Sequence, residues 1–327
     1  MPGIWRFALA VLLTVGGSMI FGATGRAQDD YPSRPVRIII PYPAAASTDN
    51  IGRPLADRLS RALGQQFVIE NRGGAGGTLG AELLTKSAPD GYTLMITPQT
   101  PIVVLPSLRK VGYDPTKDFA PVARMSEVIT GFAVHPSLGV KTLQEFIALA
   151  KAKPGKIVFV SAGVGTITHL RGEMLKVLAD IDLLHVPYKG NGEALPDLLA
   201  GNVHAMFEAV VFPHVKAGKL TLLAVVDDVR HPDFPNTPTI KESGFPDYDM
   251  PIWFGAYAPR GTPPAIIAKL HREISKIHDD KEFGDRLMAL GMRVYAKADT
   301  PEEMTRRIEA QRIVFRDIIK KANVVAE

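Results

Sequence analysis

Tyr31-Pro-Ser-Arg-Pro-Val-Arg-Ile-Ile-Ile-Pro-Tyr-Pro-Ala-Ala-Ala-Ser-Thr-Asp49 runs from an apolar stretch into a row of small residues and opens onto an amphipathic pattern. Residues 37–40 read as a buried strand, because short uninterrupted apolar runs suit strands covered on both faces. Ile51, Leu55, Leu59 and Leu63 then recur on one stripe, which predicts a helix over 50–63 with Thr48 or Asp49 as N-cap and Gly64 as its stop. The first N–H groups of a helix lack backbone partners and carry the positive end of its dipole. An anion held over Tyr42, Ala44, Ala45, Ala46, Ser47, Thr48 and Asp49 would therefore meet ready donors.

The same rhythm continues outward. Residues 67–70 read as a second strand, the turn Arg72-Gly-Gly-Ala-Gly-Gly77 leads into a helix ending near Ser87, and Pro89-Asp-Gly91 turns the chain into a strand over 92–97 that ends on Thr97. The glycines do not fit G-x-G-x-x-G, and the strand after them ends without the acidic residue that would hold a ribose. The turn is therefore read as one that lets helix and strand pack closely, not as a dinucleotide site.

A second copy begins after Val134. Thr142-Leu-Gln-Glu145 is a capping box, Lys153-Pro-Gly155 ends its helix, and 157–160 is a buried strand. The loop that follows, Ser161, Ala162, Gly163, Val164, Gly165 and Thr166, offers hydroxyls and accessible N–H groups before a helix that carries His169, Met174 and Leu178. His169 reads first as a helix residue packed near this loop and second as a ligand donor. Strands follow at 183–186, 203–207 and 220–226, with Tyr188-Lys189 in one connection, a helix over 193–200 and Glu208 at the carboxyl end of a strand, where α/β folds place their ligands.

Alternating strands and helices argue for α/β layers with mainly parallel sheets. Two crossing segments, 122–135 and 248–257, join the halves and set the two small-residue loops face to face. The tail is helical over 265–278, 281–290 and a last helix opened by Thr300-Pro-Glu-Glu303. Trp253, on a crossing segment, is read as core or hinge packing. The organisation expected is a leader at 1–27, a first lobe at 28–128, a second at 129–250, and a return to the first lobe at 251–327.

The leader follows from Arg6, the apolar or small run from Phe7 to Phe21, and Gly25-Arg-Ala27 as a small-x-small cleavage site near Ala27, a run short of the roughly 20 residues that a span needs. Its removal takes two arginines and no acid, so 36 Lys and Arg face 34 Asp and Glu over 300 residues. That near balance, with basic residues scattered among acids, argues against nucleic acid as a partner. The chain has no cysteine, which excludes disulfides and lipid attachment through a thiol.

Tyr31-Pro-Ser-Arg-Pro-Val-Arg37, Glu70-Asn-Arg-Gly-Gly-Ala-Gly-Gly77, Ala88-Pro-Asp-Gly-Tyr92, Tyr113-Asp-Pro-Thr-Lys-Asp-Phe-Ala-Pro-Val122, Ala150-Lys-Ala-Lys-Pro-Gly-Lys156, His185-Val-Pro-Tyr-Lys-Gly190, Lys216-Ala-Gly-Lys-Leu220 and Pro259-Arg-Gly-Thr-Pro263 occur in that order. Together they resemble the Bug-type receptors of tripartite tricarboxylate transporters. The resemblance implies a two-lobed, periplasmic-binding-protein-like receptor that closes on a small organic carboxylate and delivers it to membrane permease subunits. It also implies a periplasmic location, a monomer, and a ligand carboxylate held by the loop after the first strand and by Ser161 to Thr166. Two departures stand out. Ala44-Ala-Ala-Ser-Thr-Asp49 replaces the family's usual glycines, and Glu208-Ala-Val-Val-Phe212 is apolar apart from its carboxylate.

An exported enzyme acting on a small carboxylate, or a sensing receptor without a transport role, are the alternatives. Against catalysis, there is no cysteine nucleophile, G-x-S-x-G elbow, H-E-x-x-H motif or P-loop, and the eight histidines lack metal-ligand spacing. No cofactor, metal or catalytic residue is expected.

Overall fold

The computed structural model describes residues 31–44, 47–295 and 299–324. The expected leader, Ala45 and Ala46 lie outside the described residues. In chain order the first lobe opens with β1 (Val36–Ile40), α1 (Ser47–Leu63), β2 (Phe67–Asn71), α2 (Thr78–Thr85), β3 (Thr93–Pro98), a π turn at Thr100–Val104, α3 (Leu105–Leu108) and β4 (Phe119–Val128). The second lobe contains β5 (Thr130–Val134), α4 (Leu143–Ala152), β6 (Val158–Ser161), α5 (Ile167–Ala179), β7 (Leu184–Pro187), α6 (Asn191–Ala200), β8 (Ala205–Glu208), α7 (Phe212–Lys216) and β9 (Thr221–Val226). The chain returns through β10 (Ile252–Pro259) to α8 (Pro264–His278), α9 (Lys281–Met288), β11 (Met292–Val294) and α10 (Pro301–Lys321).

The strands form a six-stranded sheet, β11-β4-β10-β3-β1-β2, and a five-stranded sheet, β7-β6-β8-β5-β9. Between strands, parallel pairing is confined to β2-β1-β3 and β7-β6-β8, and every strand-to-strand pairing of β4, β5, β9, β10 and β11 is antiparallel. The expectation of mainly parallel sheets is corrected accordingly. The βαβ units are parallel as read, but the chain crosses between sheets as strands, and a strand that enters a sheet from the opposite lobe runs against it. β4 passes into β5 through Ile129 alone, and β10 lies between β3 and β4.

Local corrections have local causes. Helix α1 begins at Ser47, so Thr48 and Asp49 lie inside its first turn instead of capping it. At α4 the Thr142 hydroxyl accepts the Glu145 N–H, but Glu145 reaches the Lys141 N–H and not that of Thr142, so half of the expected box is made one residue early. The box at Thr300 and Glu303 is complete. The glycine-rich turn does allow close packing, since a Cβ on Gly80 would lie 2.6 Å from Pro41 Cβ.

One buried cluster spans both lobes, joining Met95, Trp253 and Tyr257 to Phe132, Phe159 and Leu170, with Met304 and Phe315 of α10 among them. Trp253 is fully buried and donates Nε1–H to Gln311 Oε1 at 2.7 Å, which places it in the packing of the return segment. Among the described residues no helix is long and apolar enough to cross a membrane.

Candidate functional site

Gln99, directly after β3, clamps the return strand. It donates its backbone N–H to Trp253 O at 3.0 Å and accepts the Trp253 N–H on its side-chain oxygen at 2.9 Å. The π turn after it buries Ile102, Val103 and Val104, which anchors α3 and leaves Leu105 and Leu108 half-buried and Arg109 exposed. Arg109 Nη2 donates to Ala75 O at 3.1 Å and the Tyr42 hydroxyl donates to Gly76 O at 3.1 Å, so α3, the glycine-rich turn and the end of β1 form one wall. Burial pushes the Tyr42 phenol up, with the Thr100 and Thr97 hydroxyls beside it, and Thr97 is fully buried.

The opposite wall is the loop between β6 and α5. Its donors are largely tied within the loop: Ala162 N–H to Thr168 Oγ1 at 3.0 Å, Gly163 N–H to Ser161 Oγ at 3.1 Å, and Gly165 N–H to His169 Nδ1 at 3.1 Å. Thr166 caps α5, accepting the His169 N–H while its own hydroxyl donates to Gly163 O at 2.7 Å. Ser161 is fully buried and its Oγ lies 2.7 Å from His185 Nε2, so this serine supports the loop and is not presented as a nucleophile. Burial, then the neighbouring His169, lowers the His185 ring to about 4, which keeps it neutral. Tyr188 donates its hydroxyl to Asp197 at 2.6 Å, and that bond, followed by burial, pushes the phenol up to about 12.

Between the walls lies a cleft of about 650 Å³. Gly76, Thr100, Leu105, Leu108 and Arg109 line one side, and Gly163, Val164, Gly165, Thr166, Pro187, Tyr188, Lys189 and Glu193 line the other. The walls approach closely at one point, where a Cβ on Gly165 would lie 3.2 Å from Leu108 Cδ1. Among the described residues neither Arg109 nor Lys189 is held in an ion pair, and Glu193 is the only acid lining the cleft. Two cations against one acid, beside the N-terminus of a 13-residue helix, favour an anionic guest.

The structure thus brings Gly163, Val164, Gly165, Thr166 and Tyr188 to the cleft, with Tyr42 behind Gly76. Ser161 and Ala162, at the loop's start, and His169, packed against Gly165, do not line the cleft. Ala44 and Ser47 are exposed, Thr48 and Asp49 are buried, and none of these four lines the cleft. Asp49 accepts from Arg53 Nε at 2.7 Å and Asn71 Nδ2 at 3.0 Å, binding the start of α1 to the end of β2. Glu208 accepts the Ala209 N–H at 3.1 Å, and its charge faces Arg171. Arg171 is wholly buried and donates Nε and Nη2 to Met250 O at 3.0 and 2.8 Å, which places Glu208 by the inter-lobe crossing. There Arg293 joins Asp227 at 2.6 Å and Glu127 at 3.2 Å, and burial, then Asp227, raises Glu127 to about 7.

Sequence reasoning missed the contribution of α3 and of the glycine-rich turn. The one available signal was Arg109-Lys110 after the apolar segment of 102–105, a basic pair that nothing nearby in sequence neutralises. A second cavity of about 620 Å³ lies between Phe212, Pro213 and His231 of one lobe and Met288 and Leu290 of the other. Its charges, Lys216 and Asp233, neutralise each other at 2.6 Å, so it lacks the first cleft's pull on an anion.

The chain matches the model of TctC, the tripartite tricarboxylate transporter family receptor, over residues 51–324. It is 39% identical over 293 residues to a UPF0065 protein of Cupriavidus necator, with 89% of each chain covered. It is 37% identical over 267 residues to BugT of Bordetella pertussis, covering 80% of this chain and 82% of that one. The structure of Rpa4515 from R. palustris with adipate aligns with a TM-score of 0.73 at 32% identity, covering 90% of this chain and 99% of the other. MatC from Rhodopseudomonas palustris with bound malate aligns with a TM-score of 0.69 at 30% identity, covering 88% and 100%.

Proposed function

The chain belongs to the tripartite tricarboxylate transporter receptor family, whose members are solute receptors and not enzymes, and on that premise we propose that it captures a small dicarboxylate between its lobes. The observation that carries this reading is the placement of Arg109 and Lys189 on opposite walls of one cleft, beside the Ser161 to Thr166 loop. A guest with an anionic group at each end meets both walls at once. The two relatives with adipate and malate support a dicarboxylate of four to six carbons as the class.

The start of α5, at the end of this loop, binds one carboxylate, and Arg109 meets the other. Ala44, Ser47, Thr48 and Asp49 flank the site beyond the end of β1. Lobe limits at 128/129 and 250/251 put the two crossings at the hinge. A guest that contacts both lobes shifts the population toward closure by its differential affinity for the closed form. The protein is exported, cleaved near Ala27, works as a periplasmic monomer, and presents its guest to membrane permease subunits.

A thermal-shift screen of mono-, di- and tricarboxylates tests this. Ligand at 100 times its dissociation constant adds about 2.7 kcal/mol of stability, which is readily seen in a protein of this size. Dicarboxylates should give the largest shifts and be recovered unchanged. A screen in which only monocarboxylates or uncharged solutes shift the melting temperature overturns the dicarboxylate reading.

A further inference from the structure

The loop from Ser161 to Thr166 contains Gly163 and Gly165 at φ +127 and +74, conformations that L side chains rarely adopt. Glycine reaches them freely but does not hold them, so the loop's shape depends on ties from outside. Three of those ties come from small hydroxyl side chains at its ends, Ser161, Thr166 and Thr168. The fourth is His169 Nδ1, which accepts the Gly165 N–H at 3.1 Å.

The imidazole is itself held on three sides. It stacks on His185 with ring centroids 3.9 Å apart and planes at 15°, and His185 stacks in turn on Phe159 at 4.8 Å. Its other nitrogen faces Glu173 Oε1 at 3.6 Å, and Lys176 bonds the same oxygen at 3.1 Å. A ring that accepts at Nδ1 is neutral with its proton on Nε2, the nitrogen turned to the carboxylate. Glu173 thus lies on the side of the protonated nitrogen, which favours the tautomer that can take the Gly165 N–H. His169 is only 6% exposed, so it acts on the cleft through Gly165, which stands where the two walls meet.

We propose that His169 is the positioning residue of the ligand loop: its Nδ1 fixes the Gly165 peptide, and thereby the donors that the loop presents to a carboxylate. The proposal rests on the reading of the cleft as a carboxylate site. It converts His169 from a candidate donor into the support of one.

Two substitutions separate this role from general packing. In His169→Asn the side-chain oxygen stands near the place of Nδ1, and in His169→Gln near that of Nε2, while both lose the stack on His185. Adipate and malate are titrated calorimetrically into wild type and both variants, and hydrogen exchange of the segment 161–169 is followed in parallel. Affinity in His169→Asn should stay within about threefold of wild type, and in His169→Gln it should fall about tenfold, the scale of one buried hydrogen bond. Exchange at Gly165 should remain slow in the first and become fast in the second, a readout that needs no ligand.

Equal affinities in all three proteins, or equal losses in both variants with Gly165 exchange unchanged, overturn the positioning role and leave the cleft reading intact. Wild type that binds neither dicarboxylate overturns the cleft reading and this inference with it.

Discussion

The two loops that follow the first strand of each parallel unit occupy equivalent places and are built on different principles. The second, Ser161 to Thr166, uses two positive-φ glycines and is stiffened by hydroxyls and an imidazole beneath it. The first leads into α1 already at Ser47, and Asp49, paired with Arg53 of the same helix, ties that helix to Asn71 at the end of β2. Its lobe lines the cleft through Gly76 and through Arg109, at the end of α3. Equivalent topology therefore does not imply equivalent chemistry. One wall is a backbone cradle with a fixed shape, and the other carries a cation on a short helix.

The largest expected effect breaks the cradle. In Gly165→Val a β-branched residue is forced to φ +74 with its Cβ 3.2 Å from Leu108 Cδ1. Such strain costs about 1–3 kcal/mol and repositions the loop, so dicarboxylate affinity should fall by about 100-fold or more. The matching change at the end of the first loop, Ser47→Ala, should stay within about threefold, because Ser47 is exposed and does not line the cleft. Calorimetric titration of both decides whether the loops differ as described, and a reversed order would break the comparison.

Next comes the charged wall. Arg109→Ala removes a cation that faces the guest and should cost about tenfold in dicarboxylate affinity, the scale of one charge-assisted hydrogen bond. A matched monocarboxylate should lose less, since only the second carboxylate meets Arg109. Equal losses for both ligands would move Arg109 from selectivity to general attraction.

A smaller effect concerns pH and includes a share from the cradle's wall. The His185 ring is held neutral, lowered from 6.5 to about 4 by burial and then by His169. Between those values the unfolded chain binds the proton and the folded one does not. Stability from this group is therefore complete above pH 6.5 and is lost as pH falls toward 4. His278 in the other lobe, lowered to about 4 mainly by burial, adds a slope of the same sign. Urea unfolding of His185→Phe should show a shallower loss of stability across this window, with the His278 share remaining. An unchanged slope would mean that His185 is solvated in the folded state.

The smallest effect is expected at Glu208. Its carboxylate accepts the Ala209 N–H and faces Arg171 at the crossing, so Glu208→Gln should leave dicarboxylate affinity within about twofold and show no preference for ligands carrying an ammonium group. A selective loss of amine-bearing ligands would bring Glu208 into the cleft.

What the chain disclosed about itself depended on how local each signal was. The parallel units were legible because Gly64, Pro89-Asp-Gly91 and Lys153-Pro-Gly155 punctuate their apolar runs. The loop of 161–166 was legible for the same reason. Strand β4 was seen only as a crossing, because Arg124, Ser126 and Glu127 break its apolar pattern. Those charges are answered by Asp299, Arg293 and Tyr295, more than 160 positions away, and no local window contains them. The contribution of Arg109 was hidden likewise, since a four-residue helix has no period to read and the wall it faces belongs to the other lobe.

The central claim is that the cleft between the Thr166 loop and Arg109 holds the guest, and a crystal structure with the dicarboxylate that gives the largest thermal shift tests it most directly. One carboxylate should lie within hydrogen-bonding distance of the Gly163 to Thr166 loop and the other should be directed at Arg109. A guest lodged in the second cavity, among Phe212, His231 and Leu290, or one that touches only a single lobe, would contradict it.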